Sequence, residues 1–519
     1  MDLLQVTLFL LFCSVALGWI ARHFNFPYPI ALVIGGGALG FVPGLPQFPF
    51  DPQFILVLVL PPILYQAALL TSWRDFKTHI RPIGLLAIGL VVATTLAVGL
   101  ALKLLIPECP WAAAFVLGAI VSPPDAVAAT ALMSRLNIPR RVVTVLEGES
   151  LVNDASGLVI YKFAVAAVLT GAFSLVDASA QFIAVSLGGI LFGIALGFLF
   201  VAIHRRLGDT LIEVLTTLSV PYVAYILAES VHASGVLAVV AAGLVRGRYS
   251  PSIVSAEMRI IARSAWNLLV FLLNSLIFIL IGIQLSAMVD RLAGPTVTEF
   301  LIIGTAISAV AILVRFACIY PAIYLPRLIS RNVRSREPAP PKGELVIMGW
   351  CGMRGIVSLA AALALPEMLP GGTPFPQRDA IIFITFVVIA ITLVVQGLTL
   401  PGLIRRLKVG TDWSLHDEQQ HARRALGEAA ALAIDDYARR HGISAELAER
   451  IRIEFADKAA HALPDAAAKS REANFAKSLR QAALRAERDE LIRIWRENQI
   501  SDEVLHHLEE DLDYQESHV

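Results

Sequence analysis

The residues best suited to chemistry lie in one short segment, 147–154, with the sequence EGESLVND. It places three carboxylates, a hydroxyl and an amide inside an otherwise apolar stretch that runs from 142 to 173. A carboxylate at membrane depth is costly, so it persists mainly where it faces a cavity, a partner or an ion path. Oxygen ligands of these types suit a hard cation. The segment therefore predicts that a cation or a proton passes this point.

Helical spacing would bring these polar side chains together. Ser150 and Asp154 are four residues apart, as are Glu149 and Asn153, so the four crowd neighbouring faces of one helix. Together their oxygen atoms could bind a hard cation such as sodium. The alternative is a buried hydrogen-bond network between helices that binds no transported ion.

A second polar element, Ser122-Pro-Pro-Asp125, interrupts another apolar stretch. Proline removes a backbone donor and clashes with the preceding turn, so two of them cannot continue a regular helix. The carbonyl groups freed in this way are tolerated at membrane depth where they line a cavity. Asp125 and the carbonyl of Pro124 are thus further candidates for the ion site, with a simple proline kink as the alternative.

Two arginines also stand in apolar stretches. Arg354 lies among the glycines of the segment GWCGMRG at 349–355, which predicts a second broken helix with the arginine as its compensating charge. Arg315 needs a carboxylate if it is buried. Glu149 is the candidate partner, which would leave Asp154 free to exchange its proton.

The composition indicates which parts of the chain lie in a membrane and which lie in water. The chain has 519 residues, of which 56% are hydrophobic and only 16% are charged, whereas a soluble globular protein carries about 25% charged residues. Apolar runs dominate up to about residue 407, and beyond residue 410 the chain is charged and rich in alanine. We therefore expect a transmembrane domain at 1–408 and a cytosolic helical tail at 409–519 that is regulatory or stabilises a dimer. The net charge of zero averages these two parts and gives no indication of nucleic-acid binding.

Apolar runs long enough to cross a hydrocarbon core of about 30 Å predict about thirteen transmembrane helices. They lie near 3–21, 29–45, 53–71, 82–106, 111–134, 142–172, 179–203, 210–231, 235–247, 262–288, 298–326, 344–368 and 379–404. Basic residues concentrate in alternate loops, which is the pattern of cytoplasmic loops. The alternation predicts a multi-pass protein of the cell (inner) membrane with its N-terminus outside and its C-terminus in the cytoplasm.

The two broken helices point to inverted repeats around a central site. With the repeats placed at 29–206 and 210–404, the broken helices fall fourth in one half and fifth in the other, so they are one helix out of register.

A glycine repeat, Gly189-x-x-x-Gly193-x-x-x-Gly197, puts small residues on one helix face, which predicts close helix packing.

No sequence pattern indicates a cofactor. The four cysteines are far apart and show neither zinc-ligand spacing nor a disulfide framework. A Walker-type loop for ATP is also absent from the sequence. We therefore expect no cofactor beyond the transported ions, and transport driven by an ion gradient.

Together these segments resemble the sodium/proton exchangers of the monovalent cation/proton antiporter class, in particular the bacterial members. The resemblance covers the whole transmembrane domain. It rests on residues 60–65 (LPPILY), the Asp125 segment, 148–154 (GESLVND), 234–243 (SGVLAVVAAG), 271–278 (FLLNSLIF), the Arg315 segment and 352–355 (GMRG), in this order and spacing.

The resemblance implies a thirteen-helix fold with inverted repeats, a homodimer in the lipid bilayer and alternating access. It implies that Asp154 binds the cation and the proton in competition, with Asn153 and Ser150 in the site. It assigns Glu149 and Arg315 to a structural ion pair. The Asn-Asp pair, rather than two aspartates, resembles the electroneutral branch, which exchanges one cation per proton. The expected cation is sodium, with lithium as a second candidate, and the expected protein is a transporter rather than an enzyme.

Two positions depart from the pattern of that class. Pro124-Asp125-Ala126 stands where the class often has Asp-Pro after a small polar residue, so a main-chain carbonyl is available at 124 but a hydroxyl is not. Gln66 stands where many members carry an acidic residue, so a carboxylate on the ion path is missing. The resemblance therefore predicts the fold of this chain better than it predicts the transported cation or the pH response.

Three other functions are compatible with these residues. Potassium/proton exchange is the main alternative. A channel for the same ions would need a continuous pore, and its cation flux would not be coupled to protons. An intramembrane aspartic protease would use Asp125 and Asp154 as a dyad that shares one proton, although the chain has no Gly-x-Gly-Asp-like segment.

Overall fold

The computed structural model of the chain is mainly helical in the residues that it describes. These are 3–24, 28–42, 57–125, 129–130, 133, 138–171, 174–292, 295–329, 339–370, 372–407, 409, 413–460, 487, 490–491, 493 and 497. Within them, an isolated bridge between Met368 and Pro374 is the only β-type pairing. The predicted all-α class is confirmed.

The chain divides into two compact units, Met1–Thr411 and Asp412–Val519. The helices described in the first unit are α1 (Leu3–His23), α2 (Tyr28–Gly40), α3 (Leu60–Leu70), α4 (Trp73–Thr78), α5 (Ile80–Leu105), α6 (Trp111–Val121), α7 (Arg140–Thr170), α8 (Leu175–His204), α9 (Thr210–Ser230), α10 (Gly235–Ile253), α11 (Ala256–Leu292), α12 (Pro295–Ile329), α13 (Lys342–Trp350), α14 (Ile356–Leu363) and α15 (Arg378–Leu407).

The second unit contains the helices α16 (Trp413–His441) and α17 (Ala445–Ala460), which pack on each other. Ser444 begins the second of these helices as its N-cap, because its hydroxyl accepts a hydrogen bond from the N–H of Leu447 at 3.4 Å.

Seven of the described helices are long and apolar enough to cross a membrane, and four further apolar helices are shorter. The chain is therefore a multi-span membrane protein, while the number of thirteen crossings stays a prediction. Several helix ends differ from the apolar runs that predicted them: α10 continues to Ile253, beyond residue 247, and α11 begins at Ala256, before residue 262. Arg246 is only 2% exposed, so this arginine is buried in the protein instead of marking the membrane surface.

The first unit contains two groups of helices. α5, α6, α7, α12, α13, α14 and α15 pack together, and we call them the site bundle; α1, α2, α3, α8, α9, α10 and α11 form the flanking bundle. Both predicted breaks fall in the site bundle, since α6 ends at Val121 and the chain is not helical between α13 and α14. The break lies in the middle member of each set, α5–α6–α7 and α12–α13/α14–α15. Halves that begin at α1 and α9 would bring the two breaks into register, while the inverted repeats themselves stay a prediction.

Two helices of the site bundle contain a π-helical segment, Leu85–Leu90 in α5 and Thr392–Gln396 in α15. π-Helical turns leave the regular hydrogen-bond ladder and occur frequently at functional sites. Here Ser156 of α7 donates its hydroxyl to the carbonyl of Ala87 at 2.6 Å. The first π-helical segment is thereby attached to the helix that carries Asp154.

The glycines of α8 lie directly against α10. A Cβ atom at Gly189 would stand 2.5 Å from the carbonyl oxygen of Ser234, and one at Gly193 would collide with the backbone of Ala238. Larger residues at these positions would push the two helices apart. The close packing predicted from the glycine spacing is confirmed.

Candidate functional site

A cavity of about 270 Å³ lies between the two bundles. Asp125, Ser150 and Asp154 line it from the site bundle, and Gln66 of α3 and Asn274 of α11 line it from the flanking bundle. The structure thus brings three of the expected ion-site residues to one space. A cavity of this volume has room for several water molecules or a partly hydrated ion.

The mouth of the cavity lies at the end of α3. Leu70, the last residue of that helix, lines the cavity and is 65% exposed. The next helix, α4, carries Asp75, which forms an ion pair at 2.6 Å with Arg140, the first residue of α7. The cavity therefore opens towards the end at which α7 begins.

Asp154 is a deeply buried carboxylate on the wall of this cavity. The residue is 6% exposed, and no described residue forms a hydrogen bond or an ion pair with its side chain. Its electrostatic neighbour is Asp125, a like charge. Because an isolated buried charge is costly, this carboxylate must be neutralised by a proton or by a cation.

Asn153 and Pro124 contact each other beside the cavity. The Nδ2 of Asn153 donates to the carbonyl of Pro124 at 3.1 Å, and its Oδ1 is buried with no partner among the described residues. A carbonyl oxygen can accept two hydrogen bonds, and among the described residues Asn153 is the one donor to the carbonyl of Pro124. The structure places these two expected ligands next to the cavity wall, where they position the broken segment behind Asp154.

The two broken spans cross at Asp125. Its backbone N–H donates to the carbonyl of Met353 at 2.7 Å. A Cβ atom on Gly355 would collide with the Asp125 carboxylate. The absence of a side chain at 355 is therefore what allows the two segments to approach so closely.

Arg354 is fully buried between the broken ends. Its Nε donates to the carbonyl of Val121 at 2.9 Å, its Nη1 donates to the carbonyl of Gly352, and its backbone N–H donates to Oγ1 of Thr392 at 3.0 Å. Val121 is the last residue of α6, where helix carbonyls lack intrahelical partners and carry partial negative charge. The guanidinium places both a hydrogen-bond donor and a positive charge at this helix end.

Glu149 and Arg315 form a bidentate ion pair, with Nη1–Oε1 and Nη2–Oε2 distances of 2.6 and 3.0 Å. Both side chains are 1% exposed. The Nε of Arg315 also donates to the carbonyl of Met348 at 3.0 Å, so the pair joins α7, α12 and α13. Glu149 is fully engaged in this way and is absent from the cavity wall.

Farther along α7, an ion pair joins the site bundle to the flanking bundle. Lys162 of α7 contacts Glu229 of α9 at 2.9 Å. The Glu229 carboxylate also accepts the N–H of Gly235, the first residue of α10, at 3.2 Å. Lys162 lies beyond Asp154 along α7, so this pair stands on the side of the site opposite the mouth.

The cavity wall includes three polar residues that we did not expect in the site: Glu147, Thr130 and Asn274. The spacing of Glu147 could have indicated its position, since it lies three residues before Ser150 and seven before Asp154, on one helix face. Asn274 stands in an apolar stretch, which marks it as unusual but does not show which way it points.

The amino-acid sequence matches a known protein family. A family model described as the transmembrane sodium/hydrogen exchanger matches residues 8–406. An uncharacterised Na⁺/H⁺ exchanger of Mycobacterium tuberculosis is 33% identical over 521 residues, which cover 98% of this chain and 95% of the relative. The sodium, potassium, lithium and rubidium/H⁺ antiporter of Bacillus subtilis is 35% identical over 414 residues, which cover 78% of this chain and 62% of the relative.

A solved structure shows the same fold. The sodium proton antiporter MjNhaP1 from Methanocaldococcus jannaschii at pH 8 matches with a TM-score of 0.63 and 20% sequence identity, over 78% of this chain and 99% of that chain. At this identity the match concerns the arrangement of the helices.

Proposed function

Because the chain belongs to the sodium/hydrogen exchanger family, we propose that it exchanges sodium ions for protons across the membrane at Asp154. One observation carries this assignment of the site. Asp154 is a buried carboxylate that faces a cavity and has no basic partner among the described residues. The proteins of this family are transporters, so the chain is a cation/proton antiporter and not an enzyme, and the protease hypothesis is set aside.

The proposed mechanism is competition between a proton and a cation for one carboxylate. Protonated Asp154 is neutral and cannot hold a cation. When the proton leaves through the mouth, a cation takes its place, with oxygen atoms of Ser150 and Asp125 on the same wall. An unoccupied, charged Asp154 would carry an uncompensated charge through the protein interior, which is costly. Only the occupied site therefore reorients, and this couples the two fluxes.

We propose an electroneutral exchange of one cation per proton. The neighbour of Asp154 on α7 is the neutral Asn153, whose amide is engaged with the carbonyl of Pro124. This pair adds no second charge at the point where α7 meets the broken segment. One positive charge then crosses the membrane with Asp154 in each direction: a proton one way and a monovalent cation the other way.

Potassium/proton exchange is the second candidate. The relative from Bacillus subtilis is named as an antiporter of sodium, potassium, lithium and rubidium for H⁺. The cavity is also larger than a close-fitting cage for one dehydrated ion would be. The experiment that tests the function therefore compares sodium, lithium and potassium.

We propose that the N-terminus is outside the cell and that the C-terminus is cytoplasmic, as the basic loops predict. The Asp75–Arg140 pair agrees with this orientation, because it joins two segments that the charge pattern assigns to the same side of the membrane. The cavity would then open to the cytoplasm in this conformation.

We also propose a homodimer and a regulatory or dimer-stabilising second unit. The apolar side chains exposed on α8 need a lipid or protein neighbour: Val176, Ile183, Leu187 and Leu191.

The test uses purified protein in liposomes with an acidic interior, a trapped pH dye and the membrane voltage held at zero. Addition of sodium, lithium or potassium outside should raise the internal pH, and the most effective ion names the substrate. Asp154→Asn should abolish the response in folded protein, whereas Asp177→Asn, at an exposed position on α8, should leave it intact. Cation-driven alkalinisation that persists in Asp154→Asn would refute the assignment, and cation flux without proton movement would indicate a channel.

A further inference from the structure

Glu147 shares the cavity wall with Asp154. It lies three residues before Ser150 and seven before Asp154, a spacing that returns to one helix face, and all three residues line the cavity. Seven residues of α-helix rise about 10 Å. The two carboxylates therefore stand one above the other along the cavity.

The Glu147 carboxylate has no partner in the described part of the chain, where it forms neither an ion pair nor a hydrogen bond. Glu149, only two residues further on, is held on both oxygens by Arg315. Glu147 is half-buried, and many of its neighbours on the wall are apolar, such as Ile63, Leu151 and Val270. A carboxylate in such surroundings is costly unless it meets an ion or water there.

The order along the cavity puts Glu147 nearer to the mouth than Asp154. The mouth lies at Leu70, at the end where α7 begins with Arg140. An ion that enters there reaches the level of Glu147 first and that of Asp154 about 10 Å deeper. Gln66, on the opposite wall, donates its amide to Oδ1 of Asn267 at 3.3 Å and contributes no charge.

We propose that Glu147 is the outer cation-coordinating residue of the transport path. It attracts a monovalent cation at the mouth, together with part of its water shell, and the ion then moves on to Asp154. This inference rests on the proposed function, because it assigns a step to the same cavity. Proton and cation still compete at Asp154, so Glu147 governs the capture of the cation rather than the coupling.

The decisive variant is Glu147→Gln, which removes the charge and keeps the size of the side chain. Its KM for sodium should rise about tenfold, the effect of one charge acting over roughly 10 Å in a partly hydrated site. The maximal rate at saturating sodium should change less than about twofold, since Asp154 is intact. Glu147→Asp keeps the charge and should stay close to the wild-type KM.

Measuring the KM for sodium at each face of the membrane distinguishes a residue that contacts the transported ion from one that acts at a distance. Sodium is presented to each face of vesicles in which the protein has one orientation. The KM of Glu147→Gln should rise only at the face on which this cavity opens. Glu257→Gln, at an exposed position on α11, is the matched control. It should leave the KM for sodium unchanged at both faces. Melting curves establish that each variant is folded, and Glu147→Ala provides a second neutral variant.

Three results would overturn the proposal. The first is an unchanged KM in both neutral variants, and the second is an equal rise at both faces. The third is a defect in Glu147→Asp as large as that in Glu147→Gln, which would indicate packing rather than charge. Failure of the proposed function is a different result, because wild-type protein would then give no cation-driven alkalinisation at all.

Discussion

At the scale of single residues, the partners of each carboxylate on α7 decide what it can do. Glu149 is held on both oxygens by Arg315, and both side chains are excluded from solvent. Asp154 is similarly buried but faces a cavity, and no described residue neutralises it. A paired charge stabilises the fold and cannot easily change partners, whereas an unpaired one must take up a proton or a cation.

The ion pair predicts a large loss of stability when only one partner is changed. Glu149→Gln leaves the buried guanidinium of Arg315 without a counter-charge, which costs about 3–5 kcal/mol. The double variant Glu149→Gln/Arg315→Met removes both charges and should lose less than the sum of the two single variants. Melting curves of purified protein in detergent measure this. Strictly additive losses would show that the two residues do not stabilise each other.

At the scale of helices, contact between backbones limits which residues are tolerated. Gly193 lies against the backbone of Ala238, so Gly193→Ala must separate α8 from α10. We expect a loss of about 1–3 kcal/mol from this overpacking. Gly402→Ala is the matched control, because no neighbouring atom lies within 4 Å of the added methyl group; it should be neutral or stabilising by up to about 1 kcal/mol. Equal effects of both substitutions on the melting temperature would contradict the packing argument.

Elements with local signals could be predicted from the sequence. Pro123 and Pro124 cannot continue α6, and the glycines around Arg354 mark the second break, so both interruptions could be located. The partner of Arg315 could be chosen because a buried guanidinium needs a carboxylate and Glu149 was available.

The direction of each side chain could not be predicted with the same success. Asn153 and Pro124 lie beside the cavity and Glu147 lies on its wall. The rotation of α7 about its own axis is set by contacts between residues far apart in sequence, such as those with α3 and α6. The end of α10 was wrong for a similar reason. Arg246 is charged, which suggests the membrane surface, but tertiary packing buries it.

At the scale of the whole molecule, competition at Asp154 makes cation affinity depend on pH. As the pH falls, more of the carboxylate is protonated and less is available to sodium, so the KM for sodium rises. In the acid limit the increase is about tenfold per pH unit, because one proton must leave for each cation bound. Saturating sodium should restore the maximal rate. Initial rates in liposomes at several pH values measure this, and a KM that is independent of pH would exclude direct competition.

The Lys162–Glu229 pair has a consequence for the populations of the two transport states. It joins α7 of the site bundle to α9 of the flanking bundle on the side opposite the mouth, so any movement that opens that side must separate the two residues. The side chains are partly exposed, and such a pair contributes at most about 1 kcal/mol. That energy corresponds to roughly a fivefold preference for the conformation in which the pair is closed. Because dissolved salt screens exposed charges, the preference should weaken as ionic strength rises, and more molecules would then expose the opposite side.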